Sequence, residues 1–190
     1  MRKAVIIHCW DGYPTYCWYP KVKSELEAFD FTVEVPAMPE TNSPALSRWL
    51  PTLTEAVGSP NENLYLVGHS VGCITIIRYL ESLKDDQNVG GVVFVAGFTD
   101  DLGYKELSNF FETSINFPKI KTRSKSFVAI HSDNDPYVSL KHGEIFKTEL
   151  GAELIIKHAM QHFSGPRDDE KSCTSLPDVT EAILRMSKSR

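Results

Sequence analysis

Short apolar, β-branched runs alternate with segments of helical periodicity along nearly the whole of this 190-residue chain. Two of the runs, at residues 92–95 and 127–130, contain no polar side chain. Strands have this character when helices cover both faces of their sheet, because neither face then meets water. The alternation therefore predicts an α/β fold in three layers, with a mostly parallel sheet between helices.

About six strands are expected, with helices between them. The predicted strands lie at residues 4–7, 31–35, 64–67, 92–95, 127–130 and 153–157. Between the second and third strands, Ser43 and Pro44 fit the cap and first position of a helix whose apolar stripe runs to Val57. No repeat, low-complexity segment or linker divides the chain, so we expect one domain over residues 1–190.

Charge and cysteine content exclude several classes of function. With 20 basic and 25 acidic residues, a net charge of −5, the chain has no basic surplus that would attract nucleic acid or an anionic membrane. No apolar stretch approaches the length of a membrane span. The four cysteines form neither a metal-binding pattern nor a disulfide framework, so we expect no metal and a reducing, cytoplasmic setting. We also expect no cofactor.

The segment Gly-His-Ser-Val-Gly at residues 68–72 lies where the third predicted strand gives way to a helix. A tight turn in this context lifts the hydroxyl of Ser70 above the sheet edge at a helix N-terminus, where free N–H groups stabilise negative charge. Gly68 and Gly72 avoid collisions of side chains with the neighbouring strand and helix. A chance match is the alternative, but strand, turn and helix occur in the required order. The motif predicts that Ser70 is a nucleophile.

A serine hydroxyl is a weak nucleophile until a base takes its proton, and six histidines are available. His162 is preferred because it lies far enough beyond the last strand for its loop to return over the sheet edge. Phe163 can anchor that loop and Gly165 can give it a flexible exit. His158 directly adjoins the strand and is the weaker candidate. The alternative for His162 is a loop histidine that merely meets solvent.

The third member of such a site is a carboxylate that holds the imidazole in the correct tautomer, between serine and histidine in chain order. Asp135 is preferred, in the segment Asp-Asn-Asp-Pro that follows the fifth strand. Asp133 competes with it, as does the pair Asp100 and Asp101 after the fourth strand. The alternative role for any of them is to cap a turn.

An oxyanion hole requires two backbone N–H groups. One is expected from Val71, the residue after the nucleophile, and the other from the loop that follows the first strand. Trp10 is the expected donor in that loop, and Cys9 is the alternative.

Two aromatic groups flank these motifs and are candidates either for the walls of a substrate pocket or for the core. The first comprises Tyr13, Tyr16, Trp18 and Tyr19, and the second Tyr104, Phe110, Phe111 and Phe117. The segment between the fourth and fifth strands, about residues 97–125, is too short for a large lid. We therefore expect an open site that takes small substrates.

Taken together, these motifs resemble the family of short serine hydrolases that includes the retinoblastoma-binding protein nine and bacterial esterase-like relatives. The resemblance covers nearly the whole chain, and it rests on Trp18, Met38-Pro39, Trp49-Leu50, residues 68–72, 97–103 and 133–136, and His162-Phe163. It implies a minimal α/β-hydrolase fold with a triad at Ser70, Asp135 and His162.

Three features depart from the family pattern. Cys9 stands where relatives often have glycine, and Cys17 stands where some have histidine. The segment L-x-C-x-E, after which the retinoblastoma-binding member is named, is absent, so that partner is not implied.

The predicted function is hydrolysis of small carboxylic esters through an acyl-enzyme on Ser70, with amides and thioesters as chemically close substrates. The expected partner is a small-molecule ester. The alternative is a protein-binding member of the same fold that does not use the chemistry.

Overall fold

In the computed structural model, which describes residues 1–164 and 173–188, the strands form one parallel sheet. The strands are β1 (Arg2–Ile7), β2 (Phe31–Glu34), β3 (Leu64–His69), β4 (Gly91–Val95), β5 (Phe127–Ser132) and β6 (Glu153–Lys157). Their order in the sheet is β2-β1-β3-β4-β5-β6. The predicted α/β fold with about six strands is confirmed, and a predicted strand corresponds to each observed one.

Helices cover both faces of the sheet, as the apolar strands predicted. They are α1 (Tyr19–Glu27), α2 (Leu46–Val57), α3 (Val71–Ser82), α4 (Phe117–Lys121), α5 (Lys141–Leu150) and α6 (Pro177–Lys188), together with a 3₁₀ helix at Lys105–Phe110. Successive residues of β1 alternate between the two sides. Val5 and Ile7 belong to the apolar cluster that includes residues of α2, α3 and α5, whereas Ala4 and Ile6 belong to the cluster on the other face, which includes residues of α1 and α6.

The start of α2 differs from the prediction, which placed its cap at Ser43 and its first turn at Pro44. The helix begins at Leu46, and its N-cap residue, Ala45, has no side chain that can accept a hydrogen bond. Asn109 of the 3₁₀ helix supplies that acceptor instead, because its Oδ1 receives the N–H of Leu46 at 2.7 Å. A cap provided from a distant segment leaves no local sequence signal, so the prediction was wrong.

The order of the strands determines where a site can form. From β1 the chain moves outward to β2, then crosses back to β3 on the other side of β1. Such a reversal opens a crevice beyond the carboxyl ends of the two strands, which is where α/β sheets bind ligands. The loop that contains Trp10, called the Trp10 loop below, follows the carboxyl end of β1, and Ser70 follows the carboxyl end of β3.

Candidate active site

Ser70 occupies a strained turn between β3 and α3. Its backbone has φ of 54° and ψ of −118°, a region that residues other than glycine seldom adopt. The turn is held from both sides, because the N–H of Ser70 donates to the carbonyl of Val95 at 2.9 Å and its carbonyl accepts from Cys73 at 2.9 Å. The side chain is nearly buried, with the residue 8% exposed.

The glycines on either side of Ser70 are required by close backbone contacts. A Cβ atom on Gly72 would lie 2.2 Å from the carbonyl oxygen of Ile7 in β1. One on Gly68 would lie 2.7 Å from the backbone of Cys73 in α3. A side chain at either position would therefore collide with the neighbouring strand or helix, as the sequence predicted.

His162 and Asp135 meet although they belong to different loops. Nδ1 of His162 lies 2.8 Å from Oδ2 of Asp135, whose side chain is only 1% exposed. The other carboxylate oxygen accepts the N–H groups of Tyr137 and Val138 at 2.9 and 3.0 Å. Burial acts to raise the pKa of Asp135, but the hydrogen bond and charge of His162 and the two N–H groups outweigh it and hold that pKa below its usual value.

The competing residues have other partners. Asp133 accepts the N–H of Ala159 at 2.9 Å and lies 2.6 Å from Nδ1 of His158, whose side chain is 90% exposed. Asp100 accepts from the N–H of Leu102 and from Lys141. These contacts hold loops in place and do not involve Ser70 or His162.

The loop after β1 has most of its N–H groups already bonded. Cys9 donates to the hydroxyl of Tyr19 at 3.1 Å, Asp11 to the carbonyl of Thr41 at 2.8 Å, and Gly12 to the carbonyl of Cys9 at 3.0 Å. Among the residues that the structure describes, the N–H of Trp10 has no acceptor. The N–H of Val71, the first residue of α3, precedes the first intrahelical bond and is likewise available.

Ser70 and His162 border one cavity of about 270 Å³. No hydrogen bond joins their side chains in this structure, although both line the same space. The cavity is bordered by Cys9, Trp10, Asp11, Tyr16, Ser70, Val71, Phe98, Leu102, Tyr104, Leu107, Tyr137, Val138, His162 and Ser164. Most of this lining is apolar or aromatic.

The two aromatic groups divide between pocket and core. Tyr16 and Tyr104 border the cavity, whereas Trp18, Tyr19 and Phe110 are buried in the core. The segment between β4 and β5 forms one wall of the cavity through residues such as Leu102 and Leu107. The sequence analysis assigned neither leucine to a pocket, because an apolar residue in a turn, such as Leu102, or in a short 3₁₀ helix, such as Leu107, has no feature that separates a pocket wall from core.

Within residues 1–164 and 173–188, no group of three or more His, Cys, Asp or Glu side chains has the arrangement of a metal site. None of the helices in this part has the length and apolar character that a membrane span requires. Gly165, predicted to end the His162 loop, lies outside the described residues.

The architecture is that of the α/β hydrolases. The structure is similar to that of the ydeN gene product from B. subtilis, with a TM-score of 0.92, 30% sequence identity and complete coverage (100%) of both chains. It is also similar in fold to Est1E from Butyrivibrio proteoclasticus, with a TM-score of 0.73 and 14% identity over 99% of this chain and 89% of that one.

Sequence comparison defines the family more narrowly. The model of the Serine hydrolase family matches residues 4–176. YdeN of Bacillus subtilis (strain 168) is 32% identical over 183 residues, which cover 96% of this chain and 94% of YdeN. Serine hydrolase RBBP9 of Rattus norvegicus is 29% identical over 166 residues, 85% of this chain and 87% of the rat protein. The chain therefore belongs to the serine hydrolase family, as its motifs predicted.

Proposed function

We propose that the protein hydrolyses small carboxylic esters through an acyl-enzyme on Ser70. The observation that supports this most directly is the placement of three side chains. Ser70, on its strained turn, borders the same cavity as His162, and His162 is bonded through Nδ1 to the buried carboxylate of Asp135. These are the three kinds of group that acyl transfer by serine uses: a nucleophile, a base and a carboxylate that orients the base.

The hydrogen bonds assign a role to each group. Because the carboxylate of Asp135 only accepts, Nδ1 of His162 carries the proton and Nε2 has a free lone pair. In the proposed reaction Oγ of Ser70 attacks the ester carbonyl carbon while its proton passes to Nε2. The tetrahedral intermediate then expels the alcohol, which takes that proton from the imidazolium. Water repeats the sequence on the acyl-enzyme, releasing the acid and restoring Ser70.

The bond between Ser70 and His162 is expected to form when substrate enters. Catalytic hydrogen bonds are often long or misaligned in unliganded enzymes and tighten in the complex. The bond from Nδ1 of His162 to Asp135 limits the positions that the imidazole can take.

Trp10 and Val71 are the proposed oxyanion donors. The N–H of Cys9, the alternative donor, is already taken by the hydroxyl of Tyr19, whereas those of Trp10 and Val71 are available. A pair of backbone N–H groups aimed at the developing oxyanion supplies a large part of the rate enhancement in acyl transfer.

The lining of the cavity favours an uncharged, apolar acyl group. Phe98, Leu102, Leu107 and Val138 offer no group that would solvate a charge. A volume of about 270 Å³ suits a small substrate. Tyr104 and Tyr137, each 43% exposed, also border the cavity and offer aromatic surface to a leaving group.

The test combines a fluorophosphonate probe with a panel of p-nitrophenyl esters of rising acyl length. We expect the wild-type protein to be labelled and to hydrolyse the shorter esters, and Ser70→Ala to lose both properties while its thermal unfolding remains cooperative. Ser82→Ala, at the exposed far end of the same helix, is the control that keeps both. Labelling or turnover that persists in Ser70→Ala, or a folded wild-type protein that reacts with neither reagent, would overturn the proposal.

A further inference from the structure

A chain of buried hydrogen bonds joins the loop after β1 to the loop that contains His162. The hydroxyl of Tyr19 accepts the N–H of Cys9 at 3.1 Å and lies 2.7 Å from Nδ1 of His69. Nε2 of His69 lies 2.8 Å from the backbone carbonyl oxygen of His162. Tyr19 and His69 are both fully buried.

The chemistry of the groups determines which is the donor and which the acceptor in each of these hydrogen bonds. A carbonyl oxygen can only accept, so Nε2 of His69 must carry a proton and donate it to His162. Burial, together with the neighbouring His162, lowers the pKa of His69 to about 3, so the ring is neutral and Nδ1 has a lone pair. The hydroxyl of Tyr19 must then donate to Nδ1, which leaves its oxygen to accept from Cys9.

Close packing of aromatic rings restricts the positions of these side chains. The rings of Trp18 and Tyr19 lie 4.6 Å apart at 76°, and those of Trp18 and His69 lie 5.6 Å apart. Trp18 itself is fully buried. The Tyr19 hydroxyl and the His69 ring therefore act as rigid spacers between two backbone segments.

Both ends of this series of hydrogen bonds adjoin groups that the proposed reaction uses. Cys9 immediately precedes Trp10, the proposed oxyanion donor, and the last acceptor is the carbonyl of the proposed base itself. Ser70 follows His69 directly. Three parts of the site, which arrive on separate segments, are thus tied together through two side chains.

We propose that Tyr19 and His69 are positioning residues, which hold the Trp10 loop and the His162 loop at fixed distances from Ser70. Neither side chain borders the cavity, so both act through the backbone that they bind. This inference rests on the proposed function. A displacement of about 1 Å at a reacting group can lower turnover about a hundredfold, so loss of either bond should affect kcat.

The first experiment removes the Tyr19 hydroxyl and leaves its ring. In Tyr19→Phe we expect kcat for ester hydrolysis to fall about tenfold to a hundredfold, with KM within about twofold of wild type. Tyr79→Phe is the matched control, since Tyr79 is also a buried tyrosine (2% exposed) but lies along α3, away from the site. Turnover is compared at a temperature at which near-ultraviolet circular dichroism shows every variant fully folded, so that lost stability alone cannot lower kcat.

The second experiment separates the two bonds of His69. In His69→Gln the side-chain NH₂ can occupy the place of Nε2 and still donate to the His162 carbonyl, whereas in His69→Asn the side-chain oxygen can occupy the place of Nδ1 and only accept from Tyr19. We expect His69→Gln to retain the higher kcat, because it keeps the bond to the base. A folded Tyr19→Phe with kcat within about twofold of wild type, or equal kcat in the two His69 variants, would overturn the positioning role. A wild-type protein that the fluorophosphonate does not label would overturn the proposed function instead.

Discussion

Nδ1 of His162 lies 2.8 Å from Oδ2 of Asp135, although the two residues are 27 positions apart and follow different strands. The contact exists because β5 and β6 are parallel neighbours, so their carboxyl ends open onto the same edge of the sheet. The N–H groups of Tyr137 and Val138 bind the other carboxylate oxygen, Oδ1, so Oδ2 remains for the imidazole. The contact therefore holds Nδ1 of His162 and leaves Nε2 without a bond to Asp135.

Replacement of Asp135 should affect turnover far more than stability. In Asp135→Asn the side-chain NH₂ can donate to Nδ1 of His162 and stabilise the wrong tautomer, so we expect kcat to fall by about a thousandfold or more. Asp133→Asn and Asp100→Asn are the matched controls, because both follow neighbouring strands and bond only loop groups and side chains outside the proposed site. Their turnover should stay close to that of wild type. An inactive Asp100→Asn beside an active Asp135→Asn would place the acid after β4 instead.

Ester hydrolysis should slow as the solution is acidified, because protonated His162 cannot accept the proton of Ser70. Burial acts to raise the pKa of Asp135, but the hydrogen bond and charge of His162 and two backbone N–H groups hold that pKa below its usual value, so this carboxylate stays charged in mild acid. The measurement is kcat/KM between about pH 5 and pH 8, with recovery of activity after return to the higher pH. A flat profile in a protein that remains folded would argue against His162 as the base.

A methyl group at position 72 should disrupt the turn that holds Ser70. The new Cβ would lie 2.2 Å from the carbonyl oxygen of Ile7, so β1 or α3 must move. We expect Gly72→Ala to lower the free energy of unfolding by about 1–3 kcal/mol and to reduce activity as well. Gly58→Ala is the comparison, because φ there is +69° but no atom lies within 4 Å. Gly58→Ala should lower the free energy of unfolding by about 1 kcal/mol and keep full activity. A larger loss of stability and activity in Gly58→Ala than in Gly72→Ala would contradict the steric account.

His131 should make the protein less stable in mild acid. Its side chain is fully buried, and neither ring nitrogen has a hydrogen-bond partner among the described residues. Burial lowers the pKa of His131 from 6.5 to about 4, so below pH 6.5 the unfolded chain binds a proton that the folded chain refuses, and stability falls as pH falls. The contribution lost by about pH 4 is about 3 kcal/mol.

Urea unfolding of His131→Leu at about pH 7 and about pH 4.5 tests this account. Leucine has a similar volume and carries no group that needs a partner or gains a proton. We expect the variant to lose less stability than wild type on acidification. Equal losses in the two proteins would show that other groups cause the acid sensitivity. Buried His69, whose pKa is about 3, is present in wild type and in His131→Leu, so part of the acid sensitivity should remain in both proteins.

Much of this protein is determined locally by its sequence. Apolar runs bounded by turns predict the strands, because a strand buried on both faces needs an unbroken apolar segment. The glycines around Ser70 mark the tight turn, because only a residue without Cβ fits between β1 and α3. Chain order and distance from a strand led to His162 and Asp135, whose side chains the structure places 2.8 Å apart, because in a parallel sheet every strand delivers its following loop to one edge. Their roles in catalysis stay a prediction.

Only the tertiary structure decided features in which distant segments meet. Asn109 caps α2, Leu102 and Leu107 form part of the cavity wall, and His69 bonds the His162 loop to the segment just before Ser70. Local sequence cannot specify such contacts, because each depends on how the helices and loops pack over the sheet edge. The sequence thus predicted which residues are suited to the proposed reaction, whereas packing between distant segments determined the shape of the cavity and the hydrogen bonds between the loops that carry those residues.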